Sequence, residues 1–298
     1  MSNWGKGVNN NIGWGQGANN DIGWGSIYDK SNAGETLLSG GEIDPQAQAQ
    51  ITRIQNAGGT IEDTSVIDAD IKFLKSIGLF ANLKYAVDPR AGIMQRVDGS
   101  DTFASKIFDY SGSDADTASA TGSAQPKKGI LNGVTSLDFD GVDDSLTDED
   151  TVSFLAGQEM FSVAVYAQDF NGSDFYARMV DKFSPDRDGK AFGRKKENII
   201  VFFQETSVTP FQNVQVMVSA TSNEDSLNSG FINGLLISQS TFSTDHIGKT
   251  IGSARASNSG TNYSKAQFQK NWDFDVLPTP SQAQAITDYL QAQFNITF

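Results

Sequence analysis

His246, in STDHIGKT, is the only histidine in a chain of 298 residues that also lacks cysteine. A Ser–His–Asp hydrolase needs an imidazole poised near neutral pH beside an exposed nucleophile. No G-x-S-x-G elbow occurs anywhere in the chain, so His246 reads as a surface or strand-edge residue. Gly248-Lys249-Thr250 copies the end of a phosphate loop, but Ser243 stands where the loop's first glycine belongs, which argues against a nucleotide cradle. Hydrolysis of a glycan needs two carboxylates flanking the scissile bond. Asp138, Asp140, Asp143 and Asp144 are plentiful but include no Glu, and Asp140-Gly141 has the character of a turn. No catalytic residue is assigned, and the chain is expected not to be an enzyme.

Binding chemistry leaves more candidates. DKFSPDRDGK offers Asp181, Asp186 and Asp188, yet an EF-hand register begun at Ser184 reaches Lys195 where a bidentate Glu belongs. An acidic hairpin turn accounts for that stretch; no metal ligand is assigned and no cofactor is expected, with Ca²⁺ the one ion left open. Sugar recognition combines stacking aromatics with planar polar groups, and Tyr176, Asn262, Tyr263 and Trp272 are the candidates of those types.

With 36 acidic against 22 basic side chains, the formal charge is −14, a field that repels nucleic acid and anionic membranes. The absence of cysteine excludes disulfides, thiolate metal sites and a Cys nucleophile. The first residues lack the basic and apolar regions of a secretion signal, and no apolar run approaches the ~20 residues of a membrane span. Neither nucleic-acid binding nor membrane insertion is expected.

Elements that position these residues begin with a repeat. W-G-x-G-x-N-N-[N/D]-I-G runs through residues 3 to 26, setting Trp4, Trp14 and Trp24 at equal intervals with Ile12 and Ile22 between them. Gly and Asn dominate, so neither a helix nor a strand period is present. Aromatic residues in such a background suit an arm whose side chains fill pockets on a partner. Ordering a Gly-rich arm costs about 1–2 kcal/mol per residue, which offsets much of what three buried indoles contribute. One arm should therefore hold weakly, and a homo-oligomer is expected, trimer first and pentamer at a vertex second.

Asp44-Pro45 followed by QAQAQITRIQ predicts a capped helix ending at Gly58-Gly59. A second helix is predicted from Thr64 or Ser65, with Ile67, Ile71, Leu74 and Ile77 on one face and Gly78 as terminator. Residues 44–80 are the expected collar of the oligomer. From about residue 95 the texture becomes short β-branched and aromatic runs, among them SLDFDGVDDSL, FSVAVYAQ, NIIVFFQ, VQVMVSA and GFINGLLIS. Asn233-Gly234 and Asp188-Gly189 are hairpin signals. LPTPSQAQAITDYLQAQF predicts a closing helix capped by Ser281, with Ile286, Tyr289, Leu290 and Phe294 on one face.

The order of these strands, from SLDFDGVDDSL through the N-G hairpin to IGSAR and LPTPSQAQAI, resembles concanavalin A-like, laminin-G-type jelly rolls over about residues 96–298. That resemblance implies a mainly β sandwich able to bind carbohydrate. Glucanases of this fold carry E-x-D-x-E or a close variant on one strand, which this chain lacks. The W-G-x-G units, GETLLSG and IKFLKSIGLFANLK resemble the front end of structural proteins from phages of Bacteroidetes-type hosts. Together the two resemblances imply a virion surface protein: an arm over 1–30, a helical stem over 31–95 and a lectin-like head over 96–298. Its implied partners are other virion proteins, contacted through residues 1–26, and a host-surface glycan. A cellular glycan-binding or glycan-degrading module is the alternative.

Overall fold

Asp44 caps the first helix of the described residues, its side chain accepting from the Gln46 backbone N–H, with Pro45 in the first turn. The computed structural model describes residues 41–119, 122–154, 160–169, 177–181, 191–195, 199–202, 216–222, 228–232, 235–240, 246–251, 253–254, 262–263 and 265–296; side chains are described for 41–119, 122–147, 161–167, 251 and 265–296. Trp4, Ile12, Trp14, Ile22, Trp24 and Tyr176 therefore lie outside the described residues, and so do the side chains of Asn262, Tyr263 and His246.

Helix α1 (Pro45–Asn56) buries Ala47, Ile51 and Ile54, spaced to share one face. Helix α2 (Thr64–Ser76) is capped by Asp63, whose side chain accepts from the Ser65 N–H, and buries Val66, Ile67, Asp70, Ile71, Phe73 and Leu74. It ends where Gly78 takes φ +74°, a conformation that a side chain would resist. A short 3₁₀ turn over Phe80–Asn82 leads into β1 (Leu83–Val87).

Eighteen strands follow in order among the described residues: β2 (Ile93–Asp98), β3 (Asp101–Ile107), β4 (Thr117–Ala118), β5 (Lys127–Leu131), β6 (Val134–Asp140), β7 (Leu146–Phe154), β8 (Met160–Asp169), β9 (Ala177–Asp181), β10 (Ala191–Lys195), β11 (Ile199–Phe202), β12 (Val216–Ser222), β13 (Asn228–Ile232), β14 (Leu235–Ser240), β15 (His246–Ile251), β16 (Ser253–Ala254), β17 (Asn262–Tyr263) and β18 (Lys265–Phe274), counting β1 as the first. The chain closes with helix α3 (Pro280–Phe294). Sixteen strands form one curled antiparallel sheet, in the order β11-β10-β9-β15-β7-β4-β3-β5-β6-β18-β8-β12-β13-β14, with β1 added on β18 and β2 on β3. The fold is mainly β, a curled antiparallel sheet of the sandwich kind, with a C-terminal helix. Across Asn233-Gly234, Ile232 pairs with Leu235, the hairpin that the dipeptide predicted.

β18 is the hub. Its first half lies between β6 and β8, and its second half between β1 and β8, where Trp272 faces Val163 on one side and Ala86 on the other. Residues paired across strands point to the same face, so Trp272 and Phe274 share a surface with Val163, Phe161, Ala86 and Leu83. That surface packs against both helical segments: Ile51, Ile54, Ile67, Ile71, Leu74, Ile286, Leu290 and Phe294 belong to the same buried cluster. At its centre Phe73 of α2 stacks on Tyr289 of α3 at a centroid distance of 4.0 Å, and both rings lie beside Trp272.

Three expectations change accordingly. The stem foreseen over 31–95 does not end at a domain boundary, because Ile43–Phe298 forms one compact unit and β1 belongs to the main sheet. Nor is the apolar face of 44–80 available as an oligomer collar, since this chain's own sheet and α3 cover it. An amphipathic stripe shows that a face is buried without saying against what. The cap of α3 is Thr279 in place of Ser281: Thr279 and Gln282 form a reciprocal capping box around Pro280.

Candidate functional site

A buried ion cluster lies beneath the helical layer. Asp70 sits on the apolar stripe of α2 and Lys270 on the Trp272 face of β18; both are fully buried. The Lys270 Nζ donates to Asp70 Oδ2 at 2.6 Å and to Gln293 Oε1 at 2.7 Å, and lies 3.4 Å from Asp88 Oδ2. Asp70 is saturated: Tyr110 Oη donates to Oδ2 at 2.6 Å, and Tyr289 Oη and Gln293 Nε2 donate to Oδ1 at 2.8 and 3.2 Å. The Trp272 indole N–H in turn donates to Tyr110 Oη at 3.1 Å.

Asp88, just past β1, is held by Arg90 through its backbone N–H, Nε and a terminal guanidinium nitrogen. Burial opposes its ionisation, but the charges of Arg90 and Lys270 outweigh this and keep its carboxyl below the usual range. Burial lowers the Lys270 ammonium from its ordinary value, with Asp70 and Asp88 acting against that shift. Burial and the neighbouring Asp70 and Asp88 raise the Tyr110 phenol well above its own. The rings of Trp272 and Phe294 close over Lys270 Nζ at 4.7 and 5.5 Å from their centroids.

None of these ionic residues was singled out from the sequence, though a signal existed. Asp70 falls among Val66, Ile67, Ile71 and Leu74 on a helical stripe, and Lys270 alternates with Trp272 and Phe274 along a strand. Two opposite charges on two apolar faces predict each other once the faces meet.

A second cluster forms the turn between β6 and β7. Ligand oxygens of Asp140, Asp143 and Asp144 lie within 4.8 Å of one another. Asp140 Oδ1 accepts from the Val142 backbone N–H at 2.7 Å, and Asp144 Oδ2 from the Asp140 N–H at 2.8 Å. Gly141 has φ +81°, and a Cβ there would meet Lys265 Cβ at 3.0 Å. This is the turn chemistry that Asp140-Gly141 predicted. Burial pushes the Asp144 carboxyl up to about 6, with Asp140 and Asp143 adding to the shift. Calcium takes about six to eight oxygens; three carboxylates, two of them bonded to the turn's own backbone, are explained by the turn.

A third acidic stretch surrounds Arg53 of α1, which pairs with Asp114 and Asp116 and donates to the Asp109 carbonyl. The Asp109 carboxylate is fully buried and accepts from the backbone of Ala86, Ser111 and Ala115. Burial still pushes it up to about 6.

Of the four residues expected at a sugar site, Trp272 is the one whose side chain is described, and it is fully buried in the core. Its indole packs between sheet and helices and presents no face to a ligand, a correction that follows from β18 being covered on both sides. Asn262 and Tyr263 form β17, paired with β16.

No protein-family model matches the chain. No curated protein matches it either. Among solved structures, the binding domain of Paraclostridial Mosquitocidal Protein 1 is 12% identical, with 71% of this chain aligned to 53% of that one at a TM-score of 0.52. The botulinum neurotoxin serotype G binding domain is 11% identical, with 70% aligned to 51% at a TM-score of 0.50. Trypanosoma rangeli sialidase in complex with sialic acid is 11% identical, with 85% aligned to 40% at a TM-score of 0.49. The chain thus spans about half, or less, of the length of these solved chains. At such identities the likeness to the two binding domains is one of fold.

Proposed function

We propose that this protein is a non-catalytic attachment module of a phage virion: a spike, head fibre or tail surface component. Its N-terminal arm anchors it to other virion proteins, and a lectin-like sandwich faces the host surface. The observation that carries this reading is the even spacing of Trp4, Trp14 and Trp24 in a Gly/Asn background ahead of the sandwich. Such an arm makes sense where a platform supplies the pockets that its indoles fill. The fold's likeness to two binding domains, one of them from a neurotoxin, supports a binding role for the head. Among the described residues the buried carboxylates are engaged by internal donors, which is what a scaffold requires.

Host-surface glycan is the ligand class, with Tyr176, Asn262 and Tyr263 as the remaining candidates, and the protein acts as an oligomer on the virion surface. Removing residues 1–26 is expected to leave the sandwich folded and to abolish incorporation into particles, as read by mass spectrometry of purified virions. Normal incorporation of the truncated protein would sink the anchoring role. Incubating the protein with host-surface glycans separates binding from degradation: retention without new reducing ends is expected, whereas release lost on one Asp or Glu substitution would favour the cellular glycan-degrading alternative.

A further inference from the structure

Lys270 and Asp70 meet in a setting that does more than pair charges. The two residues are 200 positions apart and both fully buried, with the amine 2.6 Å from one carboxylate oxygen. A third ionisable group, Asp88, stands 3.4 Å from the same Nζ. Aromatic rings of Trp272 and Phe294 close the amine in. Removal from water disfavours the ammonium form of Lys270 and so favours the free amine that a nucleophile requires. The lowering of Lys270 by burial acts in that direction.

We propose that Lys270 and Asp70 are the two ends of an intramolecular amide cross-link that the folded chain forms by itself, with Asp88 as the proton carrier. Lys270 Nζ gives a proton to Asp70 and then attacks Cγ, forming the N–C bond. The electron pair of the carbonyl moves onto Oδ1, where Tyr289 Oη and Gln293 Nε2 already donate and stabilise the developing oxyanion. Asp88 takes a proton from the attacking nitrogen and passes it to the Oδ2 hydroxyl. The C–Oδ2 bond breaks, water leaves and the Oδ1 carbonyl re-forms. One ammonium and one carboxylate become one secondary amide and one water, with no oxidant, metal or nucleotide required.

Such a bond would tie α2 to the last strand of the sheet and close a loop containing most of the chain. Holding the reacting groups in contact is what makes an otherwise slow condensation feasible. The inference rests on the geometry of the cluster and stands whether or not the protein belongs to a virion.

The test is the mass of the purified full-length protein under denaturing conditions, followed by a tryptic map. The expected result is a chain lighter by one water, no cleavage after Lys270, and a branched peptide joining the Asp70 and Lys270 segments. Asp70→Asn should yield the same branched peptide with loss of one ammonia instead. Lys270→Arg, which keeps the charge but not the nucleophile, should retain full mass, and Asp88→Asn should slow or prevent the link. Should any of these variants fail to fold, the wild-type branched peptide decides the matter alone. Folded wild-type protein that keeps its full sequence mass after prolonged incubation, with normal cleavage at Lys270, would overturn the proposal. So would a water loss that maps to succinimide at Asp140-Gly141 or Asp188-Gly189.

Discussion

Replacing Phe73 by Ala tests whether the helical layer is part of the domain core. Phe73 is 4% exposed and packs beside Tyr289, nearly parallel at 4.0 Å, and Trp272 at 6.4 Å. Truncating a buried Phe to Ala costs about 3–5 kcal/mol, and loss of the aromatic pair places this site toward the upper end. At about 2–4 °C per kcal/mol for a domain of this size, the midpoint should fall by roughly 6–20 °C. The assay is thermal and urea unfolding followed by far-ultraviolet circular dichroism and by tryptophan emission. A background carrying Trp4→Phe, Trp14→Phe and Trp24→Phe leaves Trp272 as the sole indole, so that the emission reports the sheet while the helices dominate the dichroism. Both signals should move together, because Phe73 links α2, β18 and α3. Val97→Thr, at a position 69% exposed, should change stability by no more than about 0.5 kcal/mol and serves as the control. A loss below about 1 kcal/mol for Phe73→Ala, or helical melting that leaves the Trp272 signal in place, would refute the shared core.

Two further outcomes are expected. The Asp144 carboxyl titrates near 6 when folded against a reference value of 3.8, so the folded state binds more protons between those values and its stability falls as pH rises through that window. Asp144→Asn should therefore be more stable than the parent at pH 7, with the gain shrinking to nothing below about pH 4 in matched denaturation curves; a gain independent of pH would contradict this. Thr279→Ala should cost about 0.5–2 kcal/mol by breaking the capping box, and Ser281→Ala distinctly less; equal losses in chemical denaturation would return the cap to Ser281.

The sequence by itself determined most of the local structure. Asp44-Pro45, Asp63 before Thr64, the glycine at 78 and the Asn233-Gly234 dipeptide fix their elements through dihedral preference and hydrogen bonds spanning a few residues, which act wherever the segment lies. Asp140-Gly141 foretold its turn for the same reason. The order of apolar runs also carried the fold class, since period-two alternation needs a sheet to bury it. What the sequence left open was where each buried face goes. The stripe on α2 could equally have met another copy of the chain; the tertiary structure set it against β18 and α3, and so joined the expected stem to the head. Trp272 has the residue type of a sugar-stacking aromatic, and only its position between a sheet and two helical segments makes it core. The ion cluster shows the distinction most plainly. Asp70 and Lys270 each look misplaced on an apolar face, and neither position specifies the other across 200 residues. Their pairing, the four donors on Asp70 and the approach of Asp88 arise only when α2, β1, β18 and α3 close on one another, because burial and hydrogen-bond satisfaction are properties of the packed interior and of no single segment.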